Sequence, residues 1–378
     1  MKRKICITTG TRAEYGVIKP FLNEIKKSKE FKLSLIVTGM HLKKKFGMTI
    51  NEIKKDRFEI HAIINEKFQG NTNYDMTKSL ASKILKFADI FYKLNPDYNI
   101  VIGDRDEMLA SAIAAYHMNI VNVHIHGGEV SGGLDEYNRH AITKISNIHF
   151  APTKKSKERI IKMGENPKYV FNVGALAVDG ILSKNITTLK KFELKYKINL
   201  KNNSILLLQH PVTTESERSK FQIKETLNAL SELKIQTVAI LPNSDPGNSE
   251  IIEELKIFSK QNKFFNTYPS FPREDFLCLL KNSNVLVGNS SSGIIEASYF
   301  STPVINIGKR QRGRELTKNV MNISENSDLI KKSILRALNT KSIRKDDTYG
   351  KGNTSQKILK ILSKVNLEKT IIDKQFVD

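Results

Sequence analysis

The chain has 378 residues, of which 39% are hydrophobic, so it is long enough for two domains that each bury a core. Its formal net charge is +22 at pH 7, but the lysines are spread over the whole length, tryptophan is absent, and no segment alternates aromatic with basic residues. We therefore predict no nucleic-acid partner. The excess positive charge instead suits a polyanionic small molecule such as a nucleoside diphosphate.

No apolar run approaches membrane-spanning length, and the charged residues 1–4 lead directly into a short strand, without the apolar segment of a signal peptide. We expect a cytoplasmic protein with no membrane partner. Cys6 and Cys278 lie far apart in predicted core segments, which fits a reducing compartment. The spacing of cysteine and histidine residues resembles no zinc site, so neither a metal nor a cofactor is predicted.

The first half of the chain alternates apolar strands with polar turns and helices. Residues 5–9 predict a strand, which is followed by the turn GTRAEYG and a helix over 17–26. A glycine turn between a strand and a helix directs backbone N–H groups at an anion, and Arg12 could add a bidentate phosphate contact. The pattern repeats through residue 150, as is typical of a doubly wound parallel sheet.

Residues 99–144 form the central unit of this half. Strands are predicted over 100–102 and 120–125, with an alanine-rich helix over 107–117 between them. Such a unit closes as a right-handed parallel crossover, so both strands end at the edge of the sheet where ligands bind. Ionisable side chains follow the two strand ends: Asp104, Arg105, His126, Glu129, Asp135, Arg139 and His140.

Any one of these seven side chains could be an ordinary solvated loop charge. As a group they favour another interpretation, because charged residues beside glycine pairs at strand ends are where perturbed pKa values and catalysis concentrate. The sequence therefore predicts a catalytic crevice at this edge.

The second half repeats the same order of strand, polar loop and helix. The lysine- and asparagine-rich residues 182–203 predict a surface connection into it. Beyond a strand at 285–287, the segment GNSSSG precedes a helix over 294–299, and serines with a glycine at a helix start suit a diphosphate. An ordinary helix N-cap is the alternative. Glu296, one turn into that helix, could reach a ribose hydroxyl pair.

We therefore expect an α/β protein made of two Rossmann-like domains with parallel sheets and a cleft between them. The predicted bounds are 1–180 for the N-terminal domain, which carries the catalytic carboxylates, and 181–353 for the C-terminal domain, which binds the nucleotide. Residues 354–378 are predicted to form a last helix that packs back on the first domain, followed by a tail.

With these residues in view, the chain resembles the hydrolysing UDP-N-acetylglucosamine 2-epimerases, which make N-acetylmannosamine at the start of sialic acid synthesis. The matching motifs cover nearly the whole chain in order: GTRAEYG, VTGMH, GDR, HIHGGEVSG, LDEYNRHAITK, QHPVTTE, GNSSSGIIE and TPVINIGKRQRGRE. The resemblance implies GT-B architecture, a nucleotide sugar as substrate with UDP as a product, and a homodimer or homotetramer.

The resemblance also implies a mechanism and a set of site residues. A base removes the proton on sugar carbon 2 while UDP leaves, and water then adds to the resulting glycal. The family's catalytic acids fall on Asp104 and Asp135, and its catalytic histidine falls on His210. The expected substrate-binding residues are Arg12, Arg105, Arg139, Ser290, Ser291, Ser292, Gly293, Glu296 and Arg310.

One position departs from the family pattern. Several members have a catalytic glutamate where this chain has His126, so either His126 or the neighbouring Glu129 takes over its acid–base work; a purely structural role for His126 is the alternative. The main prediction is that UDP-N-acetylglucosamine and water give N-acetylmannosamine and UDP. The alternative is a sister enzyme of the legionaminic acid pathway that acts on a UDP- or GDP-linked 2,4-diacetamido-2,4,6-trideoxy sugar. A GT-B glycosyltransferase, which would need an acceptor, is a distant third.

Overall fold

The computed structural model describes residues 2–66, 72–183, 185–200, 202–340, 343–367 and 369–378. The chain divides into two compact units. The first comprises Met1–Glu129, Asp135–Leu182 and Tyr349–Asp378, and the second comprises Val130–Leu134 and Ser183–Thr348.

The first unit is built on a parallel sheet of seven strands. These are β1 (Arg3–Thr9), β2 (Phe31–Thr38), β3 (Ile60–Ile64), β4 (Tyr98–Ile102), β5 (Val121–Ile125), β6 (Ile148–Ala151) and β7 (Val170–Asn172), in the spatial order β3-β2-β1-β4-β5-β6-β7. Its helices begin with α1 (Arg12–Lys27), α2 (Ile50–Lys55), α3 (Asn73–Leu94), α4 (Asp106–His117), α5 (Leu134–Lys144), α6 (Lys154–Lys162) and α7 (Leu176–Ile181).

The second unit repeats the design with six parallel strands. These are β8 (Ser204–Leu208), β9 (Gln236–Ile240), β10 (Phe265–Tyr268), β11 (Val285–Gly288), β12 (Val304–Ile307) and β13 (Val320–Ile323), in the order β10-β9-β8-β11-β12-β13. Its helices are α8 (Leu189–Tyr196), α9 (Ser219–Leu233), α10 (Asn248–Gln261), α11 (Arg273–Asn282), α12 (Ser291–Ile295) and α13 (Ser327–Leu338).

The central strands are buried over their whole length because neither face of the sheet meets water. Every residue of β4, β5 and β8 is buried, as expected for parallel strands between helices. Register then decides which loops meet. Ile102 pairs with Ile125, and Leu208 pairs with Gly288, so the loops that follow these strands begin side by side at the carboxyl edge of each sheet.

The last part of the chain belongs to the first unit and contains α14 (Thr354–Lys364) and α15 (Lys369–Ile372). The carboxylate of Asp179 accepts hydrogen bonds from the backbone N–H groups of Thr354 (2.9 Å) and Ser355 (2.8 Å). A carboxylate at this end of a helix also complements the helix dipole. The buried side chains of Ile358 and Leu362 complete the attachment by joining the first unit's core.

Some local predictions need correction. The helix predicted to start at residue 17 begins at Arg12, because the Thr11 side chain caps it by accepting a hydrogen bond from the Glu14 N–H. The connection predicted over 182–203 is not merely a surface segment, since it contains α8 and the fully buried Phe192. The helix predicted over 294–299 is divided into α12 and a 3-10 turn, Ala297–Phe300.

Candidate functional site

The site in the first unit starts where β4 ends. Gly103 has a φ of +77°, a conformation that favours glycine, and its N–H donates to the carbonyl of Ile125 (2.9 Å). This turn releases the chain from the sheet and places Asp104 immediately beyond the strand end. The structure therefore places Asp104 at the carboxyl edge of the sheet, as predicted.

Arg139 on α5 is the centre of a charge cluster. Its guanidinium is almost fully buried and forms a salt bridge with Asp104, a hydrogen bond to the backbone carbonyl of Glu129 (3.3 Å) and a salt bridge to Glu136 (3.2 Å). Burial lowers the pKa of Arg139, but the negative charges of Asp104, Glu129 and Asp135 outweigh it and raise that pKa. The cluster thus combines one permanent cation with several carboxylates.

His126 lies beside this cluster in an unusual conformation. Its φ is +69°, in the left-handed region that few residues with a side chain adopt. The ring Nδ1 is 3.2 Å from Glu129 Oε2, and because a carboxylate only accepts, Nδ1 carries the proton in this contact. Nε2 is buried and has no hydrogen-bond partner within the described parts of the chain. The neutral ring therefore has a lone pair available at Nε2.

The glycines of HGGE are required by close packing. A side chain at Gly128, where φ is +74°, would place its Cβ 2.2 Å from the backbone oxygen of Ser156 on α6. The loop that carries His126 and Glu129 is thereby pressed against α6. This contact explains why a glycine sits between two candidate catalytic residues.

Arg105, an expected substrate-binding residue, forms a salt bridge with a carboxylate that was not among the predicted site residues. Its Nε donates to Glu107 Oε1 (2.8 Å). Burial would raise the pKa of Glu107, but Arg105 and Lys83 hold it down at about 2. Beside it, burial and the charge of Glu107 raise the pKa of Glu14 to about 8, so Glu14 is mostly protonated at neutral pH. Neither Glu14 nor Glu107 was among the predicted site residues.

The turn at Gly10 is shaped by the same carboxylate. A Cβ at Gly10 would lie 1.9 Å from Glu107 Oε1, so a side chain does not fit there. Arg12 follows at the first position of α1, where its guanidinium makes a two-point salt bridge to Glu52, with Nε 3.0 Å from Oε2. The predicted phosphate-binding arginine is thus held in place by a carboxylate that sequence analysis did not identify.

In the second unit, His210 lies just beyond β8. Its Nδ1 accepts a hydrogen bond from the backbone N–H of Asn243 (3.2 Å), which leaves the proton of the neutral ring on Nε2. Asn289 bonds to the backbone of His210 twice, with Oδ1 accepting from its N–H (2.7 Å) and Nδ2 donating to its carbonyl (2.8 Å). Asn289 belongs to the segment GNSSSG, and no role was predicted for it.

The segment GNSSSG forms a helix N-cap, one of the two interpretations offered for it. Ser290 is the N-cap of α12 and accepts from the N–H of Ser292, as an ordinary cap does. Gly293 lies against β12, where a Cβ would come within 2.9 Å of Val304 Cγ1, so packing alone accounts for this glycine. Arg310, in the loop after β12, donates to the Asn289 carbonyl at the base of the same segment (3.3 Å).

Glu296, the candidate ribose ligand, is buried and forms a salt bridge with Arg273 at the start of α11. The guanidinium of Arg273 lies over the ring of Phe276, 5.8 Å from its centroid. Arg273 was missed because it precedes Glu296 by 23 residues on another helix, and such a pair leaves no sequence pattern.

Of the predicted site residues, the structure brings Asp104 and Glu129 to Arg139, and His126 to Glu129, with Asp135 on the same helix as Arg139. It also links His210 to Arg310 through Asn289, which directly precedes Ser290. Ser291 and Ser292 follow Ser290 in the first turn of α12. Among the described residues, no group of three histidine, cysteine, aspartate or glutamate side chains could hold a metal ion. Over the same residues, no helix is both long and apolar enough to cross a membrane.

Comparisons with known proteins identify similar chains. A family profile described as UDP-N-acetylglucosamine 2-epimerase matches residues 23–363. The UDP-N,N'-diacetylbacillosamine 2-epimerase (hydrolyzing) of Legionella pneumophila is 39% identical over 99% of both chains. The GDP/UDP-N,N'-diacetylbacillosamine 2-epimerase (hydrolyzing) of Campylobacter jejuni is 36% identical over 100% of this chain and 99% of its own.

The fold is also found in solved structures. The UDP-GlcNAc 2-epimerase from Neisseria meningitidis, crystallised with UDP-GlcNAc, has a TM-score of 0.79 at 20% sequence identity and covers 96% of this chain and 100% of its own. The predicted fold class, two Rossmann-like units of the GT-B kind, is confirmed. The profile match and the two bacterial relatives together show that the chain belongs to the UDP-N-acetylglucosamine 2-epimerase family.

Proposed function

We propose that this protein is a hydrolysing 2-epimerase of a UDP-linked 2,4-diacetamido-2,4,6-trideoxy sugar, UDP-N,N'-diacetylbacillosamine, and that it releases UDP and the free 2-epimer. The relatives at 39% and 36% identity carry that substrate in their names, and this favours the alternative over our main prediction of UDP-N-acetylglucosamine. The observation that carries the chemistry is the cluster of carboxylates and His126 around buried Arg139.

The first half of the reaction is an elimination. The Asp104 carboxylate takes the proton from sugar carbon 2 as the bond between carbon 1 and the diphosphate oxygen breaks, which gives a glycal and UDP. A carbon-bound proton of this kind is only weakly acidic, so the base must be positioned before departure of the leaving group begins. The salt bridge to Arg139 supplies that positioning, and Asp135 on the same helix is the second carboxylate of the site.

The second half is a hydration. Water adds its hydroxyl to carbon 1 of the glycal, and a proton is delivered to carbon 2 from the face opposite to the one it left. In this step the Nε2 of His126 carries the proton that is delivered, while Glu129 binds Nδ1–H and stabilises the imidazolium. In this proposal His126 and Glu129 act together in place of the family's single glutamate.

In this proposal the second unit binds the departing diphosphate. His210 carries its proton on Nε2 and can donate it in a hydrogen bond to a phosphate oxygen, and Arg310 adds a cation. Glu296 is proposed to accept hydrogen bonds from the ribose hydroxyls, using the carboxylate lone pairs that its salt bridge with Arg273 does not occupy.

The experiment that tests this proposal compares substrates directly. The purified protein is incubated without any acceptor with UDP-N,N'-diacetylbacillosamine, its GDP counterpart and UDP-N-acetylglucosamine, and free sugar and nucleotide are measured by NMR. We expect the highest kcat/KM with the UDP-linked diacetamido sugar. A higher value for UDP-N-acetylglucosamine would reinstate our main prediction, and no free sugar from any of the three would contradict both.

A further inference from the structure

Asn289 joins three loops at the carboxyl edge of the second sheet. Its side chain makes the two hydrogen bonds to the His210 backbone, of 2.7 Å and 2.8 Å. Its own carbonyl accepts from Arg310 Nη1 (3.3 Å) and from Gln311 Nε2 (2.9 Å). A single residue that is only 4% exposed thus connects the loops that follow β8, β11 and β12.

The sheet itself makes this connection possible. Gly288 has a φ of +131°, and a Cβ at this position would lie 2.0 Å from the backbone oxygen of Leu208. The strands β8 and β11 therefore approach closely at their ends, which brings the Asn289 amide within reach of His210. Only an amide side chain offers a donor and an acceptor side by side, so aspartate, serine or alanine could not make the same pair of bonds.

The ring of His210 depends on this backbone anchor. Its Nδ1 accepts from the Asn243 N–H, and that bond sets both the direction of Nε2 and the atom that carries the proton. If the His210 backbone moved, the ring would lose its hydrogen bond from the Asn243 N–H, and Nε2–H would lose its fixed direction. The amide of Asn289 provides the anchor without adding a charge close to a site for a dianionic diphosphate.

We propose that Asn289 is a positioning residue that holds His210 and Arg310 in one fixed arrangement for the departing diphosphate. The inference rests on the proposed function, in which His210 and Arg310 bind that group. Asn289 itself acts through these two residues and not on the reacting atoms.

A double-mutant cycle tests whether Asn289 acts through His210. Asn289→Ala should lower turnover by roughly 10²-fold, since a displacement of about 1 Å in a positioned group has effects of this size. Added to His210→Ala, the same change should lower turnover little further, because the residue through which it acts is already gone. Losses that multiply in the double mutant would overturn the inference.

Asn306 on β12 provides a matched control. It is also a buried asparagine, and its Nδ2 donates to Asn322 Oδ1 (2.8 Å), a contact within the sheet. Asn306→Ala should lower the melting temperature about as much as Asn289→Ala while it changes turnover by less than about twofold. An equal loss of turnover in both variants would mean that Asn289 has only a structural role.

A readout that needs no substrate separates this inference from the proposed function. In protein labelled with ¹⁵N-histidine, the His210 ring should show the Nε2–H tautomer, and Asn289→Ala should convert it to a mixture of tautomers. If this change occurs but the wild-type protein turns over no nucleotide sugar, the proposed function fails and the anchoring of His210 stands. An unchanged His210 signal overturns the inference whatever the activity. If Asn289→Ala does not fold, Asn289→Ser, which can keep one of the two bonds, serves in the same comparison.

Discussion

The two sheets end in different chemistry, and their histidines show the difference most clearly. At the edge of the first sheet, His126 donates its Nδ1–H to Glu129 in a hydrogen bond, and its buried Nε2 has no hydrogen-bond partner among the described residues. At the edge of the second sheet, His210 accepts a backbone N–H at Nδ1 and presents Nε2–H. The first ring can gain and lose a proton at Nε2, whereas the second is fixed as a donor.

The surroundings of the two histidines follow the same division. The carboxylate of Glu129 contacts His126, and buried Arg139 bonds to the Glu129 backbone, while neutral amide and backbone groups hold His210. Ionised groups that are kept in place by each other suit proton transfer, and fixed neutral dipoles suit an anionic ligand whose own charge must be accommodated. If this comparison is correct, substitutions at the first edge should mainly lower turnover, and substitution of Glu296, the proposed ribose ligand in the second unit, should mainly lower affinity.

The largest effect is expected from Asp104→Asn. The amide keeps the shape of the side chain but cannot accept a proton, so turnover should fall by roughly 10²–10⁴-fold, the usual contribution of a general base. UDP affinity, measured by calorimetry, should change little. Asp56→Asn, at a carboxylate paired with Lys19 away from the cluster, is the control and should keep full turnover. A weakened UDP affinity with unchanged kcat would contradict the assignment of proton transfer to the first edge.

His126→Gly should come next, with a loss of turnover on the order of 10²-fold. Glycine accepts the φ of +69° without strain, so the backbone should keep its path while the ring is removed. Added imidazole should then restore part of the activity, because it can occupy the vacated space beside Glu129. Asn119→Gly, another substitution at a positive φ, controls for the backbone change. Full activity of His126→Gly without added imidazole would exclude His126 from catalysis.

The sequence predicted the first edge better than the second. Asp104 and His126 follow apolar strands whose parallel pairing could be inferred, so their meeting at one edge was predictable. The left-handed backbone of His126 was not, because histidine has no strong preference for it. Fold class followed from the repeated strand–helix pattern, but the partly exposed strands β3 and β13 lack the apolar runs of the central ones.

The partners that hold the site residues were invisible in the sequence. Glu52 pairs with Arg12 from 40 residues away, and Arg273 pairs with Glu296 from another helix. Asn289 lies in a motif whose serines were the predicted ligands, but its side chain forms hydrogen bonds with a loop 79 residues earlier in the chain. Such contacts depend on how elements pack, and a single sequence carries no periodic signal for them.

A smaller effect is expected from Glu296→Ala. Loss of one or two hydrogen bonds to the ribose should weaken UDP binding by about 1–2 kcal/mol, roughly tenfold in Kd, with a smaller change in kcat. Glu254→Ala removes a glutamate that pairs with Lys220 in the same unit and serves as the control. Unchanged UDP affinity in calorimetry would remove Glu296 from the nucleotide site and weaken the assignment of binding to the second unit.

The smallest effect concerns stability outside both edges. Buried Glu165 accepts from His149 (3.0 Å), Lys144 (2.8 Å) and Lys374 (2.6 Å). Burial raises the pKa of Glu165, but these partners outweigh it and hold the value at about 2. Its contribution to stability is therefore complete above the unfolded-state pKa of about 4.5 and is lost as the pH falls from there towards 2.

Lys374→Met tests this contribution. The variant should lose about 1 kcal/mol of unfolding free energy at pH 7, as measured in urea, and should keep its turnover. The difference from the wild type should shrink as the pH falls below about 4.5, since a protonated Glu165 offers Lys374 no charge. A difference that stays constant down to pH 3 would show that packing and not charge attaches Lys374.

The most direct test of the central claim is the fate of the hydrogen on sugar carbon 2. UDP-N,N'-diacetylbacillosamine is converted in deuterated water, and the released sugar is analysed by NMR and mass spectrometry. Elimination followed by protonation from a second group should place one deuterium on carbon 2 of every free 2-epimer molecule, because the proton that returns comes from solvent. Free sugar that carries no deuterium at carbon 2 would show that the carbon–hydrogen bond was never broken, and it would contradict the division of proton transfer between Asp104 and His126.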